Sequence, residues 1–160
     1  MDAEHAAGQL CLVPYTIECL KKSQVWLSDP EIRELTLASP LTEEGQQRFF
    51  QSLPTRTDYA IWGVSLSHGG LIGAAGLKNH QGTIAEYWGY IGERTFWGQG
   101  LGRAMLEATE RKAREMGFTE LHLKVVPFNQ RAIGLYLKSG YVLDAEKSPD
   151  GCLIMRKKDL

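Results

Sequence analysis

The sequence predicts an α/β domain of the mixed α+β kind: a central, mostly antiparallel sheet of six to seven strands, flanked by four helices. Three observations carry this reading. Hydrophobic residues make up 43% of the 160 and charged residues 23%, the balance of one globular domain large enough to bury a core. Short alternating apolar runs punctuated by glycine recur through the chain, which is the pattern of hairpin strands. The second half then reads helix, strand, helix within a chain otherwise built of hairpins, which requires a sheet with helices packed on it.

The elements follow in order. Residues 10–13, Leu-Cys-Leu-Val, form a short first strand ended by Pro14. Ile17, Leu20, Val25 and Trp26 space a helix over 16–27, and Asp29-Pro30 breaks it. Thr42-Glu43-Glu44 opens a second helix to about Leu53, anchored by Phe49 and Phe50. Tyr59 to Leu66 is strand-like and stops at His68-Gly69-Gly70; Leu71–Leu77 is its hairpin partner; Ala85–Gly92 is the next strand, rich in aromatics. Gly100–Met116 is helical, with Leu101, Met105 and Ala108 in one stripe and Leu106, Ala113 and Met116 beside it. Gly117 caps it. Residues 119–126 alternate, with Leu121, Leu123 and Val125 on one face, up to Pro127. Asn129 caps a helix over 130–139, which Gly140 ends. Residues 141–145 and 152–156 close as a hairpin around Pro149-Asp150-Gly151. No repeat or linker divides residues 1–160, so a single domain is expected.

Composition excludes several classes. Eighteen basic and 19 acidic residues give a formal charge of -1, without the basic excess of a nucleic-acid binder. No apolar run approaches the roughly 20 residues of a membrane span. The start, Met1-Asp2-Ala3-Glu4-His5, lacks a basic region followed by an apolar stretch, so no secretory leader is read. Cys11, Cys19 and Cys152 fit neither a disulfide framework nor a zinc site; free thiols and a cytoplasmic location are expected, with no metal. Residues 94–138 hold eight basic and four acidic residues, a local excess that points to an anion.

Phe96-Trp97-Gly98-Gln99-Gly100-Leu101-Gly102-Arg103 follows a strand and opens a helix. Such a start offers unpaired backbone N–H groups and a partial positive charge, and glycine permits close approach. The dinucleotide fingerprint fails, because its sixth position is Arg103 or Met105, and the Gly-Lys-Ser/Thr of a P-loop is absent. Further on stands Asn129-x-x-Ala132-x-x-x-Tyr136-x-x-x-Gly140-Tyr141.

Together these stretches resemble the GNAT superfamily of acyl-CoA-dependent N-acetyltransferases. Its cofactor motif, Gln/Arg-x-x-Gly-x-Gly/Ala, reads Trp97-x-x-Gly100-x-Gly102 here, and its later motif is matched throughout. Trp97 is a departure, shared with the branch similar to ribosomal-protein N-terminal and sugar acetyltransferases. The resemblance implies a sheet splayed between strands four and five, with acetyl-CoA as co-substrate. It implies that Gly98, Gln99, Gly100, Leu101, Gly102 and Arg103 hold the pyrophosphate, with Arg103 equally readable as a solvated helix residue. It further implies that backbone near Ile91 and Gly92 pairs with the pantetheine arm, and that Asn129 touches that arm or the phosphates as well as capping its helix.

Acetylating an amine needs the neutral amine, and an alkyl ammonium costs roughly 4–5 kcal/mol to deprotonate at pH 7. Glu86 is the candidate base, sharing a strand face with Trp88 and Tyr90, where burial beside aromatics would raise its pKa; a solvent-facing carboxylate is the alternative, and Glu93 a second candidate. The resemblance places Tyr136 beside the thioester sulfur, as a hydrogen-bond donor to the departing thiolate; the alternative is packing on Ala132 and Ile133. Backbone N–H groups of the strand over 85–92 would polarise the carbonyl. Cys152 reads as a packed residue.

The acceptor site is expected from the first two helices and the last hairpin. Ser28–Arg33, Glu43, Glu44, Gln47 and Phe49 resemble acetyltransferases of nucleotide-linked 4-amino sugars in pseudaminic acid synthesis, so a small-molecule amine, an amino sugar, is the expected acceptor. Trp26, Tyr59, Trp62 and Trp88 could stack on it and Arg33 could meet a phosphate. An N-terminal Ala/Ser protein acetyltransferase and a non-catalytic acyl-CoA sensor are the alternatives, and a homodimer is left open.

Overall fold

A computed structural model describes residues 9–36 and 42–160; the first five residues, read above as leaderless, lie outside them. The strands are β1 (Leu10–Pro14), β2 (Ala60–Leu66), β3 (Gly70–Gln81), β4 (Ile84–Ile91), β5 (Glu120–Val125), β6 (Val142–Leu143) and β7 (Leu153–Lys158). The helices are α1 (Ile17–Trp26), α2 (Pro30–Thr36), α3 (Glu43–Ser52), α4 (Leu101–Glu115) and α5 (Gln130–Lys138), with single 3-10 turns at Leu53–Thr55 and Arg94–Phe96. One seven-stranded sheet runs β1-β2-β3-β4-β5-β7-β6. Among its pairs β4–β5 is parallel and the rest are antiparallel. No helix among the described residues is long and apolar enough to cross a membrane.

The mixed fold is as expected, and among the described residues five helices stand where four were expected. The break read at Asp29-Pro30 starts α2 instead. Asp29 accepts the Glu31 N–H at 3.0 Å through Oδ1, and Pro30 occupies the first helical position, where its missing N–H costs nothing. A second difference is β3, which runs on to Gln81 through a register shift between Lys78 and Gln81. At that shift Asn79 takes a left-handed φ of 53°, as asparagine does more readily than most residues.

The core explains the order. On the α4–α5 side of the sheet, Leu77, Tyr87, Leu106, Leu121, Leu123 and Met155 are buried together, and a second group gathers Leu10, Val64, Ile72, Leu101 and Met105. The predicted α4 stripe is buried except for Met116, which lies past the helix end and is exposed. Helices α1 and α2 cover the opposite face, where Trp26 stands edge-on to Tyr90 of β4.

The decisive feature is where the sheet comes apart. β4 and β5 pair only from Ile84–Glu120 to Glu86–His122. Beyond that rung β5 stays with β7 through Val125–Leu153, while β4 stays with β3 through Ile91–Gly73. A wedge therefore opens between two strands that each keep their outer neighbour.

Candidate active site

The wedge widens into a cleft of about 810 Å³, walled by Trp88 and Tyr90 of β4, Lys124 of β5, Tyr136 of α5, α2, and the loop Trp97–Gly102. Backbone alternation decides which β4 groups face it. The Gly92 N–H bonds the Ile72 carbonyl of β3 at 2.7 Å, so even-numbered residues at this end of β4 bond toward β3 and odd-numbered ones toward the wedge. Gly89 and Ile91 thus lie past the last β5 rung with their polar groups turned to the cleft. The Ile91 carbonyl is taken by the Trp97 indole N–H at 2.8 Å, leaving its N–H. Gly92, expected at this edge, lies instead in the β3 ladder. Its missing side chain has another use: a Cβ there would run into the Trp26 ring.

Trp97 thus closes the last strand carbonyl, and the Arg94 guanidinium stacks over its ring at 4.8 Å. At the mouth, Gly98 and Gly100 hold φ of 79° and 77°, and nothing lies within 4 Å of where either Cβ would be. Their conformation is left-handed, which side chains resist by roughly 1–2 kcal/mol. It brings the head of α4, with its unpaired N–H groups, to the cleft, an arrangement suited to an anion. Gly100→Ala lets the free loop relax out of the left-handed conformation that binding must restore, so coenzyme A binding should weaken about 5- to 30-fold; unchanged affinity by calorimetry would detach this loop from the cofactor.

Other expected residues divide. Leu101 is buried in the core and, with Gly102, lines the cleft. The Gln99 amide donates to the Thr95 carbonyl at 2.9 Å, so it braces its own loop. Arg103 lines the cleft but pairs with Glu107 at 3.0 Å, one helical turn away. Asn129 caps α5, its Oδ1 accepting the Ala132 N–H at 3.3 Å, and lines the cleft as well.

Tyr136 stands at the inner wall, edge-on to Tyr87 and Tyr141 with ring centroids 6.4 and 5.9 Å away. Burial pushes its hydroxyl up to about 12, so it stays protonated at any working pH. Glu86 behaves opposite to expectation. Burial alone would raise it, but His122 Nε2 at 3.3 Å, Lys78 Nζ at 3.5 Å and Asn79 Nδ2 at 3.1 Å outweigh that and hold it at about 2. An anion fixed by three partners is a poor proton acceptor, and Glu86 lies behind the wedge vertex, not in the cleft lining. Glu93, the second candidate, accepts the Trp26 indole N–H at 2.9 Å.

Of the expected acceptor residues, Trp88 lines the cleft and stacks on Tyr90, centroids 6.3 Å apart. Tyr59 stands behind it, 6.4 Å from Trp88 and 5.4 Å from Phe49. Trp26 packs on Gly92 and Tyr90 behind the cleft lining and does not reach the cleft. Arg33 is displaced from the expected role: its guanidinium donates to the Leu27 and Ser28 carbonyls at 3.0 and 3.4 Å and borders a separate groove between α1 and α3. Arg94, Lys124 and Leu35 were not read from the sequence; Glu31 and Ile32 were read only within the Ser28–Arg33 stretch, Tyr90 only as a neighbour of Glu86, and Gly89 only as part of its strand. The α2 set had a signal in Asp29-Pro30-Glu31, a helix start; the strand-edge groups had none until the wedge vertex was known. Burial beside Asp150 raises the Cys152 thiol, which keeps it in the unreactive form.

Residues 26–141 match the model of the Acetyltransferase (GNAT) family. A relative in Bacillus subtilis (strain 168), named Uncharacterized N-acetyltransferase YdgE, is 27% identical over 107 residues, 63% of this chain and 68% of that one. The spermidine N-acetyltransferase of Vibrio cholerae, solved with CoA and spermine, superposes with a TM-score of 0.84 at 16% identity, covering 92% of this chain and 93% of that. The aminoglycoside acetyltransferase AAC(6')-Ib, solved with coenzyme A and kanamycin, gives 0.78 at 21% identity over 94% and 95%. With the wedge, the glycine loop and a family match over most of its length, the chain belongs to the acetyltransferase (GNAT) family and is an N-acetyltransferase that uses acetyl-CoA.

Proposed function

We propose that this enzyme transfers the acetyl group to a primary amine of a small molecule, an amino sugar, by direct attack in a ternary complex. The observation that carries this is the unpaired edge of β4 at Gly89 and Ile91, open along one cleft that joins the glycine loop to Tyr136. That edge fits an extended amide-bearing arm as an added strand would. Likeness in fold to an enzyme solved with kanamycin supports the amino-sugar class. The acceptor end presents the Trp88 and Tyr90 faces and Glu31, which suit a cationic amine. With Arg33 turned elsewhere, those named groups offer a diphosphate nothing, so a free amino sugar fits better than a nucleotide-linked one.

Acetyl-CoA, when bound, supplies a thioester carbonyl open to attack. The chain's part is polarisation and orientation. The Ile91 N–H meets the arm, and the Gly89 N–H, nearer the wedge vertex, donates to the carbonyl oxygen as it gains charge. Tyr136 donates a hydrogen bond to the leaving sulfur and keeps its proton: passing it from about 12 to a thiol near 8.5 is uphill by roughly 5 kcal/mol. With Glu86 held as an anion by other partners, the ammonium proton leaves through water in the cleft.

A thiol-release assay with acetyl-CoA tests the reading. Turnover should be highest with amino sugars such as glucosamine or kanamycin, and at least 10-fold lower with an Ala-starting peptide. A peptide preference would move the enzyme to the protein N-terminal class, and coenzyme A binding without turnover on any amine would make the domain a sensor.

A further inference from the structure

Helix α2 supplies a wall of the cleft, yet it buries a single side chain, Ile32. Seven residues with one buried anchor are poorly held by packing. Polar ties do the rest: Arg33 ties it to the carbonyls at the end of α1, and Arg94 ties it to the turn after β4. Arg94, in the turn between β4 and the glycine loop, donates from Nε and Nη2 to Asp29 Oδ2 at 3.1 and 2.6 Å, and from Nη2 to Glu31 Oε2 at 2.9 Å. Both carboxylates sit at the start of α2, and the guanidinium pulls Asp29 below the usual carboxylate range. A neighbouring tie does the same for α1: the Trp26 indole N–H donates to Glu93 at 2.9 Å, and its ring lies on Gly92.

The same turn is bound to the cofactor side. Arg94 stacks on Trp97, whose indole N–H closes the Ile91 carbonyl, and Gly98 and Gly100 follow directly. One planar side chain therefore joins the segment that faces the pyrophosphate to the segment that faces the acceptor. Only arginine can stack on an indole while forking to two carboxylates. Arg94 is not among the core residues and its side chain is half-exposed, so its charge is not needed to hold the core.

We infer that Arg94 is a positioning residue that ties the acceptor wall α2 to the cofactor loop, so that fixing the loop with coenzyme A also fixes the wall. This rests on the cleft being the acetyl-CoA site. Its consequence is coupling: loading the cofactor tightens the wall that meets the acceptor, and the linkage must be reciprocal in binding.

Hydrogen exchange with coenzyme A as the probe tests it without knowing the acceptor. In the wild type, coenzyme A should slow exchange at residues 98–103 and, by at least about 5-fold, at 30–36. In Arg94→Gln the slowing at 98–103 should persist and that at 30–36 should vanish. Arg94→Lys, one point charge for two carboxylates, should restore part of it. Unchanged exchange over α4 confirms that the variants fold. Slowing at 30–36 that survives in Arg94→Gln would overturn the inference, because direct contact would explain it. Slowing at 98–103 alone in the wild type would overturn it too, leaving the cofactor site standing. No slowing at 98–103 in the wild type would overturn the site and the coupling together.

Discussion

Tyr136→Phe lowers turnover about 10- to 100-fold and leaves acetyl-CoA affinity within twofold. The loss follows from one hydrogen bond to a developing thiolate, worth roughly 1.5–3 kcal/mol when the acceptor is charged. It falls on kcat because the thioester sulfur carries little charge before the bond breaks, so the donor matters chiefly in the transition state. The ring itself is retained, and with it the edge-on packing against Tyr87 and Tyr141. Because burial holds the hydroxyl at about 12, the wild type loses no activity to Tyr136 ionisation below about pH 11. Kinetics from pH 6 to 9 check both points. A Phe variant with unchanged kcat makes Tyr136 a packing residue. A wild-type limb near pH 8–9 that the variant lacks makes it a proton-transferring acid.

The legible part of this fold is what alternation and punctuation encode. Leu121, Leu123 and Val125 announced a strand face, and Leu101, Met105 and Leu106 a helix face, and all are buried. The glycine loop was legible because Gly98 and Gly100 need φ values that few other residues tolerate. What sequence could not show was partnership. Glu86 beside Trp88 and Tyr90 looked like a carboxylate raised by burial. Its three partners are Lys78, directly across the β3–β4 ladder, Asn79 at the bulge that follows, and His122 on β5, and only the assembled sheet brings those together. Arg33 looked free for a phosphate, yet two carbonyls at the end of α1 claim it. Ile91 was correctly placed on the strand and Gly92 falls one residue past its end, and which of them faces the wedge turns on a single bond to Ile72.

Glu86→Gln destabilises the fold and leaves the pH dependence of catalysis untouched, the reverse of what a general base would do. The carboxylate is buried, and its folded-state value of about 2 lies below the ordinary 4.5. A depressed acid stabilises the native state above its unfolded pKa and loses that contribution as pH falls through the folded one. The shift corresponds to roughly 3 kcal/mol, present in full above about pH 5 and lost between about 4.5 and 2. Replacing Glu86 by its neutral isostere also leaves Lys78 and His122 facing an amide, so a midpoint lowered by roughly 5–10 °C at pH 7 is expected for a domain of this size. Asp29, Asp58, Asp144 and Asp150 are depressed too, by their own partners, so the wild type loses stability in acid for several reasons. The difference between wild-type and variant unfolding free energies isolates Glu86: it should be flat above pH 5 and shrink below it. The rate argument runs separately. If the ammonium proton leaves through water, log kcat/KM rises with pH toward the amine's own pKa in both proteins. An acid limb present in the wild type and absent in Glu86→Gln would return the base to Glu86, and would mean that a bound acceptor displaces Lys78 or His122 from the carboxylate.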